Sequence, residues 1–180
     1  MIVLIIGNYG VGKDTFANMM LTHFGIDIAQ MIRSHTTRKP RYENEITHTF
    51  KTVKDYKDDK RNDLIVAETK IDGEYYWSTI DQFWCIPECF SIYVTDKQGL
   101  QQVIESKIDD FYIIEVVRPS WMIDVDEDRK NREVPETDFK YTVNYRVIND
   151  KTFEYLDHVA NDVCNMLMDS VEVKNEDMSS

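Results

Sequence analysis

The sequence predicts an α/β fold in which a parallel central sheet is flanked by helices. Short apolar runs rich in β-branched residues recur along the chain, and they alternate with segments whose apolar residues follow helical spacing. A glycine-rich stretch connects the first apolar run to the first helical segment. Alternation of this kind lays helices across both faces of a parallel sheet.

The first half of the chain begins with a strand at residues 2–6 and a helix that ends at Gly25. A second strand is predicted within residues 28–32. The stretch after it is polar and contains Pro40, which disfavours a helix. Within residues 46–80 the sequence alternates in short pieces and has a turn at Asp72-Gly73, so we expect a small, mostly antiparallel insertion. Its predicted strands are 47–53, 64–68 and 75–77.

The second half returns to longer elements. Strands are predicted at 89–95, 111–117 and 145–148, with a short helix at 98–105. Asp150 is the expected cap of a final amphipathic helix. The acidic segment after it, residues 172–180, is expected to fray. The apolar residues of the final helix are Phe153, Leu156, Val159, Ala160, Val163 and Leu167.

Composition narrows the class of protein. A chain of 180 residues has room for one domain with a core, and a net charge of −12 with a pI near 4.7 argues against a nucleic-acid partner. Three cysteines, an odd number, fit reduced thiols, and no apolar stretch is long enough to span a membrane. We expect a soluble cytoplasmic protein, monomeric or homodimeric. Residues 33–61 nevertheless hold nine Lys or Arg against five Asp or Glu, which suggests a local anion site.

The glycine-rich stretch has the pattern G-x-x-x-x-G-K, between a predicted strand and a predicted helix. Glycines let the backbone turn tightly and direct its N–H groups at a phosphate, and the helix dipole adds to that field. Lys13 supplies a mobile charge for the β- and γ-phosphates. The pattern therefore predicts a P-loop NTPase with a three-layer fold. The residues expected to bind the nucleotide are Gly7, Asn8, Gly10, Val11, Gly12, Lys13, Asp14 and Thr15.

The residue after Lys13 departs from the usual pattern. A Ser or Thr is expected there, because its hydroxyl binds Mg²⁺, but the chain has Asp14 followed by Thr15. A carboxylate is a good ligand for Mg²⁺, directly or through water. It also suits the first turn of a helix without any metal. Both interpretations stay open, and the candidate metal ligands are Asp14, Thr15 and Asp96.

Four stretches together resemble guanylate kinases. Residues 34–41 (SHTTRKPR) closely resemble the signature of that family, and residues 73–79 (GEYYWST) resemble its G-x-Y-Y-G-[ST]-x run. Residues 96–100 and 145–150 match later motifs in the right order. The resemblance covers most of residues 1–165 and is weakest between 118 and 138.

The resemblance implies a P-loop fold that carries a monophosphate-binding insertion and a lid. Residues 1–171 would form one guanylate kinase-like domain, with its insertion at 33–80 and its lid at 118–138. The core would take in residues 1–32, 81–117 and 139–171. Arg129 and Arg132 are the expected lid arginines, with Arg118 at a strand end as a third. The alternative for Arg129 and Arg132 is surface ion pairing with neighbouring acids.

The resemblance also implies an acceptor site. Ser34 would contact the base, and Arg38, Arg41 and Tyr76 the phosphate of the acceptor. The guanine-reading glutamate of the family aligns near Glu68 with an offset of one residue, and His48 stands where the family has a tyrosine. The full set of implied substrate residues is Ser34, Arg38, Arg41, His48, Glu68, Tyr76, Ser78 and Asp96.

The implied activity is transfer of the ATP γ-phosphate to a nucleoside monophosphate, GMP or dGMP first, with Mg²⁺. The offset at Glu68, His48 and Trp77 in place of a family glycine favour an alternative, a broad deoxynucleoside monophosphate kinase. A sugar-phosphate kinase and a non-catalytic protein-binding module are further alternatives. The retention of Lys13, Arg38 and Arg41 argues against the binding module.

Overall fold

The computed structural model describes residues 1–84, 89–106, 108–122 and 140–177, with side chains of the last segment up to Val171. The α-helices in these ranges are α1 (Lys13–Phe24), α2 (Val53–Arg61), α3 (Lys97–Glu105) and α4 (Phe153–Asp177). The strands are β1 (Ile2–Ile6), β2 (Ala29–Ile32), β3 (His35–Thr36), β4 (Thr49–Phe50), β5 (Ile65–Ile71), β6 (Glu74–Thr79), β7 (Phe90–Val94), β8 (Phe111–Val117) and β9 (Tyr145–Ile148).

The central sheet contains five strands in the order β2-β7-β1-β8-β9, and every pairing is parallel. Strand β1 lies in the middle, where Val3 pairs with Ile92 on one side and Tyr112 on the other. All five residues of β1 are at most 1% exposed. Burial on both faces is what a parallel sheet requires, and it explains why β1 is an unbroken apolar run. The predicted α/β class is confirmed.

Helices cover both faces of this sheet. Val3 and Ile5 of β1 belong to an apolar cluster with α1 and α4, which contribute Phe16 and Leu167. The alternate residues of β1 point the other way and pack in a second cluster with Leu100 of α3. The result is the three-layer arrangement that the sequence predicted.

A second, four-stranded sheet has the order β4-β3-β6-β5 and lies wholly within residues 33–80. Strand β6 pairs antiparallel with β3 and β5, whereas β3 and β4 are parallel. The predicted strand at 47–53 is wrong beyond Phe50, because Thr52 and Asp55 form a reciprocal capping box that starts α2. The alternating sequence of residues 47–53 did not indicate that a helix starts there.

The last helix also differs from its prediction. It begins at Phe153, and the hydroxyl of Thr152 accepts a hydrogen bond from the Tyr155 amide at 3.3 Å. Thr152 therefore caps the helix, and Asp150 lies too far upstream to do so. The backbone continues as helix to Asp177. None of the helices in the described ranges has the length and apolar character needed to cross a membrane.

The packing of α4 leads to a stability prediction. Leu167 is 1% exposed and lies in the cluster under the sheet, whereas its neighbour Met166 is 38% exposed. Leu167→Ala should lower the free energy of unfolding by about 2–4 kcal/mol, because it leaves a cavity in the core. The control Met166→Ala should cost about 1 kcal/mol or less. Urea unfolding of both variants measures the difference, and equal losses would contradict the observed orientation of α4.

Candidate active site

The residues that carry chemistry lie at one edge of the central sheet. The glycine loop follows β1, Ser34 comes shortly after β2, Asp96 follows β7, Arg118 follows β8, and Asn149 follows β9. Because the five strands are parallel, their carboxyl ends meet at the same edge. Ligands of open α/β sheets bind at this edge, near the strand where the order of the sheet reverses.

The glycine loop depends on glycine at two positions where the backbone adopts positive φ. A Cβ on Gly7, which has a φ of 149°, would lie 2.2 Å from the Val116 carbonyl oxygen. A Cβ on Gly12, which has a φ of 98°, would lie 2.6 Å from Nδ2 of Asn149. Only glycine fits such close approaches without a shift of the backbone.

Asn149, which follows the outermost strand β9, holds this loop in place. Its side-chain Nδ2 donates to the Val11 carbonyl oxygen at 2.8 Å, and its amide donates to the Val117 carbonyl at the same distance. Asn149 is not among the site residues predicted from the sequence. The available signal was its position, since it is a polar residue directly after the last strand.

The side chain of Lys13 folds back into the glycine loop. Its Nζ donates to the carbonyl oxygens of Gly7 at 2.8 Å and Asn8 at 2.9 Å. Burial lowers the pKa of Lys13, and the charges of Asp14 and Asp96 act in the opposite direction. The cap position Gly12 has no side chain to bond the first amides of α1, and Asp14 and Thr15 are exposed. These amides and the ammonium group are the donors that an anion at this helix end would use.

A second cationic centre is built around a buried carboxylate. Glu45, whose side chain is 1% exposed, accepts from Arg38 Nη2 at 2.7 Å and Arg38 Nη1 at 3.2 Å. It also accepts from the Thr47 hydroxyl and from the Arg41 amide, both at 2.6 Å. Hydrogen bonds from Arg38, Thr47 and Arg41 hold the pKa of Glu45 far below its usual range. The carboxylate therefore fixes the orientation of Arg38.

Arg38 keeps part of its donor capacity for other partners. Its Nε is buried and has no hydrogen-bond partner among the described residues. The ring of His48 meets the ring of Tyr76 edge-on at 5.5 Å, next to the Arg38 charge. Burial lowers the pKa of His48 and the Arg38 charge lowers it further, so the imidazole is neutral at pH 7. The structure thus brings Arg38, His48 and Tyr76 together, and the Arg41 side chain is exposed beside them.

Electrostatics connects this centre to the glycine loop. The charge of Asp14, in the first turn of α1, opposes the lowering of the pKa of His48 as the smallest of the influences on it. Asp96 accepts from the Gly99 amide at 2.8 Å as the cap of α3, and its charge acts on Lys13. The glycine loop and the Arg38 centre are therefore close enough for a charge at one to act on a group at the other.

A group of hydroxyls joins the two sheets between these centres. Ser78 Oγ lies 2.7 Å from the Tyr93 hydroxyl and 3.4 Å from Ser34 Oγ. Ser78 and Tyr93 are buried, whereas Ser34 is half-buried. Burial raises the pKa of Tyr93, so its phenol stays protonated. Sequence reasoning found Ser34 and Ser78 but missed Tyr93.

The structure does not bring Glu68 together with Ser78 and Tyr76. Glu68 pairs with Trp77, which points to the face opposite Tyr76 because side chains alternate along β6. Its carboxylate accepts from the Tyr56 hydroxyl and from Lys60 Nζ, each at 2.6 Å. Burial raises the pKa of Glu68, but these two hydrogen bonds outweigh burial and lower it overall.

The offset of one residue explains this outcome. A shift by one position in a strand moves a side chain to the other face of the sheet. Ala67, not Glu68, pairs with Ser78 and shares its face with Tyr76. Glu68 instead ties β5 to α2.

The remaining predicted residues are placed only in part. Arg118 follows β8, and its Nε is buried without a hydrogen-bond partner among the described residues. Arg129 and Arg132 lie outside the residues that the structure describes. Within the described ranges there is no group of three or more His, Cys, Asp or Glu arranged to hold a metal.

Comparison with known proteins identifies the fold. No protein-family model and no curated protein matches the sequence. A crystal structure of guanylate kinase from Anaplasma phagocytophilum matches with a TM-score of 0.63 and 16% identity, covering 93% of this chain and 86% of that chain. An unliganded sugar kinase from Janibacter sp. HTCC2649 has a TM-score of 0.41 and 11% identity, over 88% of this chain and 91% of that one, and is too distant to support an argument. The chain therefore has a P-loop kinase-like fold, like that of guanylate kinases.

The close approach at Gly7 predicts a large cost of substitution. Gly7→Ala should destabilise the protein by about 3 kcal/mol, because its Cβ would press on the Val116 backbone in a conformation that disfavours alanine. Gly25 is a matched control, since its φ is 80° and no atom of the described residues lies within 4 Å of the position of a Cβ. Gly25→Ala should cost about 1–2 kcal/mol. Thermal unfolding compares them, and a Gly7 variant as stable as the Gly25 variant would contradict the observed loop geometry.

The Arg38–Glu45 pair predicts a pH dependence of stability. The pKa of Glu45 is lower in the folded protein than its ordinary value of 4.5, so the pair stabilises the fold fully above that pH. The stabilisation declines as the pH falls below 4.5 towards the lowered pKa of the folded state.

Glu45→Gln should therefore lower the melting temperature most near neutral pH, and the difference from the original protein should shrink in acid. Glu43→Gln, at an exposed acid two residues away, is the control and should change little at any pH. Thermal unfolding from about pH 3 to about pH 7 provides the measurement. A difference that stays constant across this range would contradict an ionised, paired Glu45.

Proposed function

We propose that the protein is an ATP-dependent nucleoside monophosphate kinase, a phosphotransferase whose acceptor is the phosphate of a (deoxy)nucleoside monophosphate. One observation carries the proposal: the glycine loop with Lys13 follows β1, and the insertion that holds the second cationic centre at Arg38 leaves the same carboxyl edge of the sheet after β2. A donor phosphate and an acceptor phosphate need two such centres, because two anions must approach each other.

Each centre has a distinct task in this proposal. Lys13 and the loop amides bind the phosphates of ATP, after Lys13 exchanges its contacts with the Gly7 and Asn8 carbonyls. Arg38, held by Glu45, and the exposed Arg41 neutralise the acceptor phosphate, and Tyr76 donates a hydrogen bond to it. The neutral imidazole of His48 takes the place of a further hydroxyl donor. Phosphoryl transfer depends mainly on such positioning and charge neutralisation.

The loop also fits a magnesium ion. Mg²⁺ binds through one or two carboxylates together with substrate phosphates and water, so a complete protein cage is not required. Asp14, Thr15 and Asp96 are the oxygen donors available near Lys13, and the charges of both acids act on Lys13. When bound, the ion neutralises the charge that develops on the phosphates.

The arginines after β8 complete the proposal. Arg118, whose Nε has no hydrogen-bond partner in the described part of the chain, would bind a phosphate oxygen at the transfer site. Arg129 and Arg132 belong to the proposed lid, which would close over the bound substrates and exclude water. A cytoplasmic location, and a monomer or homodimer, stay predictions from the sequence.

The first experiment is a coupled assay of ADP release with ATP, Mg²⁺ and nucleoside monophosphates, comparing the original protein with Lys13→Met. The variant should lose about 10²–10³-fold in kcat, because it lacks the charge that stabilises the transferring phosphate. Lys57→Met is the control, since Lys57 is an exposed lysine of α2. Circular dichroism checks that all three proteins fold.

Full activity of Lys13→Met would refute the proposed mechanism. ATP binding without turnover of any nucleoside monophosphate would refute the proposed acceptor, and sugar phosphates would be tested next. Failure to bind ATP at all would favour a non-catalytic binding module.

A further inference from the structure

We infer that the acceptor site reads the base through neutral hydroxyls instead of a carboxylate, and that it therefore accepts pyrimidine as well as purine monophosphates. This inference rests on the proposed function and extends it to the class of acceptor. It follows from which side chains share a face of the second sheet.

The face that would meet the acceptor is defined by Tyr76. Thr36 and Thr69 pair with Tyr76, and Ala67 pairs with Ser78, two residues further along β6. Residues paired directly across a sheet share a face, so Ala67 lies beside Ser78 and on the side of Tyr76. Ala67 is buried and carries a methyl group, which offers no polar contact.

The opposite face holds Glu68 and prevents it from turning. Tyr56 and Lys60 of α2 bond its two carboxylate oxygens, and the stacked rings of Tyr56 and Tyr75 pack alongside at 4.0 Å. For Glu68 to reach an acceptor, its side chain would have to cross the sheet and leave the Lys60 charge without its partner. The alternation of side chains along β5, more than this partly exposed ion pair, keeps Glu68 on its own face of the sheet.

The polar groups in contact with Ser78 are hydroxyls, and the side-chain oxygen of Gln102 accepts from the backbone amide of Glu68 at 2.7 Å. Ser34 is the accessible member of this group of hydroxyls. Its Oγ lies 3.4 Å from Ser78 Oγ, which in turn lies 2.7 Å from the Tyr93 hydroxyl. A hydroxyl donates or accepts according to how its proton rotates. The same group therefore pairs equally well with a base carbonyl or with a base amino group.

One other carboxylate lies nearby. Asp96 bonds the Gly99 amide through Oδ1, and its charge acts on Lys13, which belongs to the loop of the phosphate donor. The same charge acts on Tyr93, but one oxygen of Asp96 is already used to cap α3. Among the described residues of the acceptor face, no carboxylate pairs across the strands with Ser78 or Tyr76.

A carboxylate and a set of hydroxyls differ greatly in how selectively they recognise a base. A buried carboxylate accepts from both N1–H and the 2-amino group of guanine, and it is left unpaired when another base replaces guanine. Sites of that kind discriminate by several orders of magnitude, about 10⁴-fold in favourable cases. Rotatable hydroxyls impose a much smaller difference, because each base offers them a partner.

The test measures kcat/KM for dGMP, dTMP and dCMP with the original protein, Glu68→Gln and Ala67→Glu. The original protein should turn over all three acceptors within about tenfold of one another. Glu68→Gln should keep those ratios, because Glu68 faces away. Ala67→Glu should raise the preference for dGMP over dTMP by at least about 100-fold, since it adds a carboxylate beside Ser78.

The possible outcomes separate the inference on base recognition from the proposed kinase function. Turnover confined to guanine nucleotides would overturn this inference while leaving the kinase proposal intact, and loss of that selectivity in Glu68→Gln would then assign the reading to Glu68. No turnover of any monophosphate would instead overturn the proposed function. If Ala67→Glu fails to fold, the ratios of the original protein and of Glu68→Gln still decide the question.

Discussion

The parallel pairing of β1 with β7 and β8 is the constraint on which the site depends. Because β1 is buried on both faces and bonded on both edges, its end is fixed, and the glycine loop starts from a rigid point. The same pairing brings Asp96 and Arg118 to the level of that loop, since they follow β7 and β8. Groups far apart in sequence thereby come to the same edge of the sheet.

The buried Arg38–Glu45 pair orders the other half of the site. Removing two charges from water is expensive, and such a pair is rarely the most stable solution for a protein interior. Here Glu45 is also bonded by Thr47 and by the Arg41 amide, so its desolvation is compensated and Arg38 is held in one orientation. An arginine that is already oriented loses little entropy when an anion binds to it. The pair thus fits a binding role better than a purely stabilising one.

Local patterns predicted the fold well. The apolar run of β1, the glycines after it and the helical spacing of α1 are all adjacent in sequence, and each was assigned correctly. The sequence was less informative where a contact with a distant residue, or a shift of a single residue, determines the structure. Glu68 has the right chemistry but points away, because strand register depends on pairing with β6. The start of α2 at Thr52 and the support of the loop by Asn149 also depend on contacts that alternation and composition do not reveal.

The bond between Asn149 and the Val11 carbonyl has a consequence for synthesis of the chain. The two residues are 138 positions apart, so the loop near the amino terminus gains its support only after almost the whole described sequence has left the ribosome. A nascent chain that exposes the glycine loop therefore lacks the finished phosphate cradle. Contacts of such long range also slow folding, because a large loop must close before they form. The supported geometry of the glycine loop is thus a property of the folded chain and not of its amino-terminal segment alone.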